Sequence, residues 1–155
     1  MEKPHERKFL VDDIANIVDL VCDRCLKAVD AYSINQIHID EIKYRRIEGA
    51  KGNVEYMSYI RKDGKTILNA ITEKQWHEIE KSVDYMMIRK VRFCYKDADG
   101  WDYDIDIFMT PKFLCMVEID GKGRDMYKFE PPEYFKEVTG DPRYSNKNIF
   151  NGSLG

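Results

Sequence analysis

Charged residues recur at steps of two along several segments of this chain. Lys43 and Arg45 are spaced in this way, as are Lys90 and Arg92; Asp102, Asp104 and Asp106 form an acidic series, and Glu118 and Asp120 repeat it. Near the start the signs mix, with Glu6 followed by Lys8. Alternate side chains of an extended chain share a face, so each set would line one face of a strand. Faces open to water ordinarily mix Thr, Ser, Gln and Lys. Faces segregated by sign point to a shaped site, in which rows of Lys and Arg can hold a small anion. The plain alternative is an antiparallel sheet with one side on a core and the other in water, and alternation by itself fits both.

Positioning these residues requires strands. Residues 5–11 form the first, with Glu6, Lys8 and Leu10 on one face and Arg7, Phe9 and Val11 on the other, which has the character of core. Asp12 and Asp13 then open a helix, Asp12 as its cap. Ile14, Ile17, Val18, Val21, Cys25, Ala28 and Val29 give that helix an apolar face running to about Val29. The period next changes to two. Residues 33–39 and 41–47 read as strands, and 55–62 and 65–70 as a hairpin about Asp63 and Gly64. Thr72 with Gln75 makes a capping box for a helix through about Ser82. Residues 87–95, 101–108 and 113–120 complete the strands, each with a mainly apolar face and a face carrying charge. Trp101, Phe93, Phe108, Tyr103 and the run Tyr85-Met86-Met87 are expected in the core or under helices. Residues 137–146 are expected to form turns and caps, with Asp141 capping before Pro142, and 147–155 a flexible tail on which Ile149 and Phe150 are able to dock.

Composition sets the outer limits. A chain of 155 residues, 43% hydrophobic and 34% charged, reads as one globular domain over 1–155 with a real core. The net charge of −3 argues against a non-specific nucleic-acid partner and leaves room for a local basic groove. No apolar run reaches membrane-spanning length and the start lacks an apolar signal region, so the expectation is a cytoplasmic location with no membrane partner. Of the four cysteines, Cys22 and Cys25 form a C-x-x-C within the helical pattern, while Cys94 and Cys115 lie too far apart to complete a zinc site. They are read as core or helix-flank residues. His77 has no metal-spaced partner, and Gly64-Lys65-Thr66 lacks the upstream glycine of a phosphate-binding loop, Tyr59 standing in its place.

Glu6-Arg7-Lys8-Phe9-Leu10-Val11 at the start, and Glu137-Val138-Thr139-Gly140-Asp141 followed by Arg143-Tyr144-Ser145-Asn146 at the end, resemble the CYTH family, also called triphosphate tunnel metalloenzymes. Between them, in the same order, come Glu41-Ile42-Lys43-Tyr44-Arg45, Lys90-Val91-Arg92-Phe93, Tyr103-Asp104-Ile105-Asp106-Ile107-Phe108 and Val117-Glu118-Ile119-Asp120. The resemblance covers nearly the whole chain, and its specificity lies in the ordered set. It implies an α+β fold: an antiparallel eight-stranded closed or nearly closed β-barrel, a tunnel, with helices packed outside. It also implies a metal-dependent hydrolase of inorganic, thiamine or nucleoside triphosphate, with Mg or Mn as cofactor and a small triphosphate-bearing molecule as partner. In that reading Lys43, Arg45, Arg61, Lys90 and Arg92 bind substrate, Glu6, Asp106, Glu118 and Asp120 hold metal, and Lys8 positions or deprotonates the attacking water. The residue types suit those roles. Converging cations offset a polyphosphate's charge and their own burial, and carboxylates suit hard cations that bridge phosphate oxygens.

The chain departs from the family pattern at several positions. Pro4 stands where the first glutamate of Glu-x-Glu-x-Lys is usual, Lys43 replaces an Arg, Arg61 a Lys, and Asp120 a Glu. Leu68-Asn69-Ala70 supplies none of the Arg and paired glutamates common there. Besides the hydrolase, a polyphosphate- or nucleotide-binding module that has lost catalysis fits these departures, and an adenylyl cyclase of the family's class IV type is a third reading.

Overall fold

The computed structural model describes residues 6–83 and 87–155. The expectations placed on Pro4, His5, Tyr85 and Met86 fall outside those residues.

Period-two stretches become strands, as alternation demands: β1 (Glu6–Leu10), β2 (Lys27–Ile39), β3 (Ile42–Gly49), β4 (Val54–Lys62), β5 (Lys65–Ala70), β6 (Ile88–Lys96), β7 (Asp102–Thr110), β8 (Leu114–Asp120) and β9 (Lys136–Glu137). Among the described residues the α-helices are α1 (Ala15–Asp23) between β1 and β2, α2 (Glu73–Val83) between β5 and β6, and α3 (Asn146–Phe150) after β9. Along hydrogen-bonded neighbours the nine strands run β5-β4-β3-β2-β6-β7-β8-β1-β9. Among the described residues no pairing joins β5 to β9, so the sheet has two free ends and nine strands. Of the expected closed or nearly closed eight-stranded barrel, what is found is an antiparallel sheet that is not closed. The added strand is the two-residue β9, too short to be read from period, and it pairs with β1 through Phe9–Glu137 and Leu10–Lys136.

The chain divides into two compact units, described here over their described residues. One takes in Met1–Ala31, Arg92–Ile107 and Phe113–Asp141; the other Tyr32–Val91, Phe108–Lys112 and Pro142–Gly155. In the first, Phe9, Leu20, Tyr103, Ile105, Val117, Ile119 and Phe129 form a buried core, with the Phe9 ring 5.1 Å from that of Phe135 and 5.9 Å from that of Phe129. Phe9, Tyr103, Ile105, Val117 and Ile119 come from the expected apolar faces of β1, β7 and β8, whereas Leu20 comes from the helix after β1 and Phe129 from the segment after β8. Burying such side chains contributes about 1.5–3 kcal/mol each relative to exposure.

Helix α1 is shorter than its apolar pattern. Cys25 takes a left-handed conformation (φ 49°) just beyond the helix end, which terminates helices by bonding their last carbonyls. Leu26 is then buried and residues from Lys27 onward enter β2, so Ala28 and Val29 belong to a strand. The helix anchors through Leu20, fully buried, while Ile14 and Val18 remain exposed. Asp13, not Asp12, supplies the capping contact, its Oδ1 accepting from Ala15 N at 2.9 Å. Cys22 and Cys25 are both exposed and free, Cys94 is half-buried and Cys115 buried.

In the second unit the Asp63-Gly64 hairpin closes as expected, with φ positive at both residues (52° and 75°), the requirement of a two-residue turn that follows strand twist. The capping box of α2 is formed: Thr72 Oγ1 accepts from Gln75 N at 3.1 Å and Gln75 Oε1 from Thr72 N at 2.8 Å. The C-terminal stretch is not a flexible tail. Ser145 caps α3 through Asn148 N, and Ile149 and Phe150 are buried.

Candidate active site

In the first unit the antiparallel register sets Glu6 opposite Asp120, Lys8 opposite Glu118 and Leu10 opposite Met116. Residues directly opposite project from the same face, so carboxylates and lysine share one patch whose inner end is sealed by buried Leu10 and Met116. Lys8 Nζ stands 3.7 Å from Glu118 Oε1. Glu6 ends the strand and is exposed as a residue, yet its carboxyl is pushed up to about 7: surrounding protein atoms strip its solvation, the charge of Glu118 and a hydrogen bond to it add to this, Lys8 opposes, and Asp120 contributes further. Such crowding of carboxyls is the electrostatic mark of a site that favours a cation.

The opposite face of β1 explains how this patch is held. Arg7 is buried, and its guanidinium donates to both Glu137 oxygens at 2.8 Å and to the carbonyls of Phe129 at 2.9 Å and Met126 at 3.2 Å. Beside it Lys8 N donates to Thr139 Oγ1 and Val138 N to Lys8 O, each at 2.9 Å. The turn-forming segment expected near residue 137 thus clamps β1 and fixes where Lys8 points.

Deeper in the same unit Arg92 donates to both oxygens of Asp106, at 2.7 and 2.9 Å, and Asp106 is 1% exposed. Burial works against the Arg92 charge, but the hydrogen bonds and charge of Asp106 outweigh it and raise the guanidinium above its ordinary range. Asp104, two residues before Asp106, is raised by burial; Arg92 works against this, and the charges of Asp106 and Glu118 add to it. An aspartate buried as deeply as Asp106 shows that the charged face of β7 is not simply water-facing.

The second unit gathers cations. Across the β2–β3 pair His38 faces Lys43 and Gln36 faces Arg45. Arg45 Nε donates to Gln36 Oε1 at 2.7 Å, and both Lys43 and Arg45 lie over the Tyr59 ring, at 4.8 and 5.3 Å. Lys90 is 1% exposed, its Nζ 3.0 Å from Asn146 Oδ1 and 5.0 Å from the Phe108 ring centre. His38 is lowered to about 4 by burial and then by Lys43, Arg45, Lys90 and Lys147. Arg61, by contrast, is exposed beside the β4–β5 turn, 3.4 Å from Thr66 Oγ1.

Among the described residues no group of three or more His, Cys, Asp and Glu is arranged to hold a metal ion, so there is no preformed protein cage. Magnesium is commonly held by only one or two carboxylates, together with waters and substrate phosphates. Glu6 and Glu118, hydrogen-bonded to each other with Glu6 raised, make such a pair. The donor set fits a hard divalent cation held jointly with substrate.

The chain is similar to the crystal structure of the inorganic triphosphatase NE1496, with a TM-score of 0.61 and 26% identity over 94% of this chain and 96% of that one. This chain has the CYTH fold. A second crystal structure, of the hypothetical protein NE1496, is similar to the same degree, with a TM-score of 0.60 and 27% identity over 93% of this chain and 95% of that one. No family model matches the chain, and no curated protein sequence matches it.

Within the CYTH fold the structure brings together Glu6, Lys8, Glu118 and Asp120 in one unit and Lys43, Arg45 and Lys90 in the other. It also holds Asp106 and Arg92 to each other through both carboxylate oxygens. Sequence reasoning passed over Asp104, Gln36, His38 and Lys147. The step of two marked Asp104 beside Asp106, and Gln36 and His38 share a face of β2, but nothing local marks Lys147, which α3 delivers from the far end of the chain.

Proposed function

We propose that this chain is a divalent-metal-dependent hydrolase of a small triphosphate: inorganic triphosphate, or a nucleoside or thiamine triphosphate. The observation that carries the reading is the Glu6–Glu118 carboxyl pair beside Lys8, in a fold shared with an inorganic triphosphatase. When bound, Mg or Mn supplies positive charge at the phosphate oxygens and so favours departure of a phosphate group. Glu6 and Glu118 hold it, with Asp120 next to them. Lys8 orients the attacking water or takes its proton. Arg92, locked in place by Asp106, donates to phosphate oxygens; in the second unit, taken by itself, Lys43, Arg45 and Lys90 form a basic group suited to a polyanion. A cytoplasmic setting without nucleic-acid or membrane partners belongs to the same proposal; among the described residues no helix is long and apolar enough to cross a membrane.

The test is phosphate release from inorganic triphosphate, ATP and thiamine triphosphate with Mg or Mn, from neutral to alkaline pH. Release that requires the metal is the expected result. A second reading, a polyphosphate-binding module, is favoured by the mutual engagement of Asp106 and Arg92. Binding without turnover selects it, and cyclic nucleotide formed from ATP selects the family's cyclase chemistry.

A further inference from the structure

The hydrogen bonds around His38 determine which of its nitrogens carries the proton. Arginine has donors only, so the Gln36 oxygen must be the atom that accepts from Arg45 Nε, at 2.7 Å. The Gln36 amide nitrogen therefore faces His38 Nε2, also at 2.7 Å. An NH2 group donates, so Nε2 is the lone-pair nitrogen and the neutral ring carries its proton on Nδ1. A proton added at Nε2 would set two donors against each other. As long as Arg45 holds the Gln36 oxygen, His38 is kept neutral.

The surroundings act in the same direction. His38 is opposed by Lys43 and Arg45 from β3, Lys90 from β6 and Lys147 from α3, and burial adds to their effect. Lys147 is itself paired with Glu41 Oε1 at 3.1 Å, and the Phe150 ring lies 5.5 Å from the imidazole. All of these residues belong to the second unit.

We propose that His38 is a phosphate-binding residue whose engagement is coupled to protonation through the Arg45–Gln36–His38 chain. A phosphate group takes the Arg45 guanidinium, which prefers the anion to a neutral amide. The Gln36 oxygen is released and the amide turns over. The oxygen then accepts from a proton newly bound at His38 Nε2. That proton comes from solvent, one N–H bond forms, and no covalent bond of the protein breaks. The anion meanwhile offsets the cations that kept the ring neutral, and Nδ1–H remains a donor. The inference rests on the reading of this basic group as phosphate-binding, and it adds a ligand that the resemblance did not assign.

The chain has three histidines, so their ring signals can be resolved by NMR and His38 assigned with His38→Asn. Metal-free protein is titrated with and without saturating inorganic triphosphate. Without it His38 should titrate near 4; with it the midpoint should rise by roughly two pH units, towards the ordinary value of about 6.5. Calorimetry at about pH 5.5 in buffers of different ionisation enthalpy should show wild type taking up about one proton more per triphosphate than His38→Asn. Lys147→Ala, at an exposed position, guards against a His38 variant that fails to fold. It should weaken binding by a factor on the order of ten and raise the midpoint of the free ring.

Triphosphate binding that leaves the His38 midpoint in place, or equal proton counts in wild type and variant, overturns the proposal, as does failure of wild type to bind. Metal-dependent phosphate release with an unmoved His38 would remove this inference and leave the hydrolase reading. A moved His38 without phosphate release would do the reverse.

Discussion

Glu6 is the residue at which proposed function and stability pull apart most clearly. Its carboxyl is pushed up to about 7 in the folded chain, against 4.5 ordinarily. The folded chain therefore keeps a proton there that the unfolded chain has already lost. Between those values unfolding releases a proton, so stability falls as pH rises through the window, and the loss is complete above about pH 7. At about 1.4 kcal/mol per pH unit the upper bound is about 3.5 kcal/mol. Glu6 is exposed as a residue, and solvent screening reduces the expected cost to about 1–2 kcal/mol. Glu6→Gln removes the partly desolvated charge while its amide still donates to Glu118. In metal-free urea denaturation it should therefore be more stable than wild type by about 1–2 kcal/mol at pH 8 and nearly equal to it at pH 4.5. Excess MgCl2 should stabilise wild type at pH 8 more than the variant, and the variant should lose metal-dependent turnover. Glu6→Gln that is less stable than wild type at pH 8, or a difference between the two that does not change with pH, would refute the reasoning.

Other outcomes follow from the same geometry. Glu118→Ala should abolish turnover while changing triphosphate binding only a few-fold, read by phosphate release and calorimetry; normal turnover would remove Glu118 from the proposed metal pair. Asp106→Ala leaves the largely buried Arg92 without its bidentate partner, and should cost about 3–5 kcal/mol in urea denaturation; a loss under 1 kcal/mol would mean that Arg92 finds solvent or another carboxylate. Phe150→Ala should cost about 3 kcal/mol, because the side chain is buried; a neutral result would restore the flexible-tail expectation for the C-terminus.

Strand existence, strand faces, the Asp63-Gly64 hairpin and the Thr72–Gln75 capping box were legible in the chain because each depends on neighbours a few residues apart. The ordered charge pairs and their flanking motifs carried the family resemblance for the same reason. Local pattern failed where a tertiary partner or a backbone preference competed with it. The apolar period from Ile14 to Val29 continues through Cys25, but a left-handed residue there stops the helix and gives Lys27 onward to a strand. Residues 147–155 have no readable period, yet Ile149 and Phe150 are buried.

The site divides along the same line. Sequence by itself determined which side chains share a face: Glu6 with Lys8, Lys43 with Arg45, and Asp104 with Asp106. Only the tertiary structure decided which charges meet. Arg7 finds Glu137 across 130 positions, Arg92 takes Asp106 rather than leaving it open, and Lys147 arrives beside His38 from the far end of the chain. A strand's period fixes direction within a residue or two. Hydrogen-bond partners across a sheet depend on register and loop closure, and a buried charge is stable only with the partner that these supply.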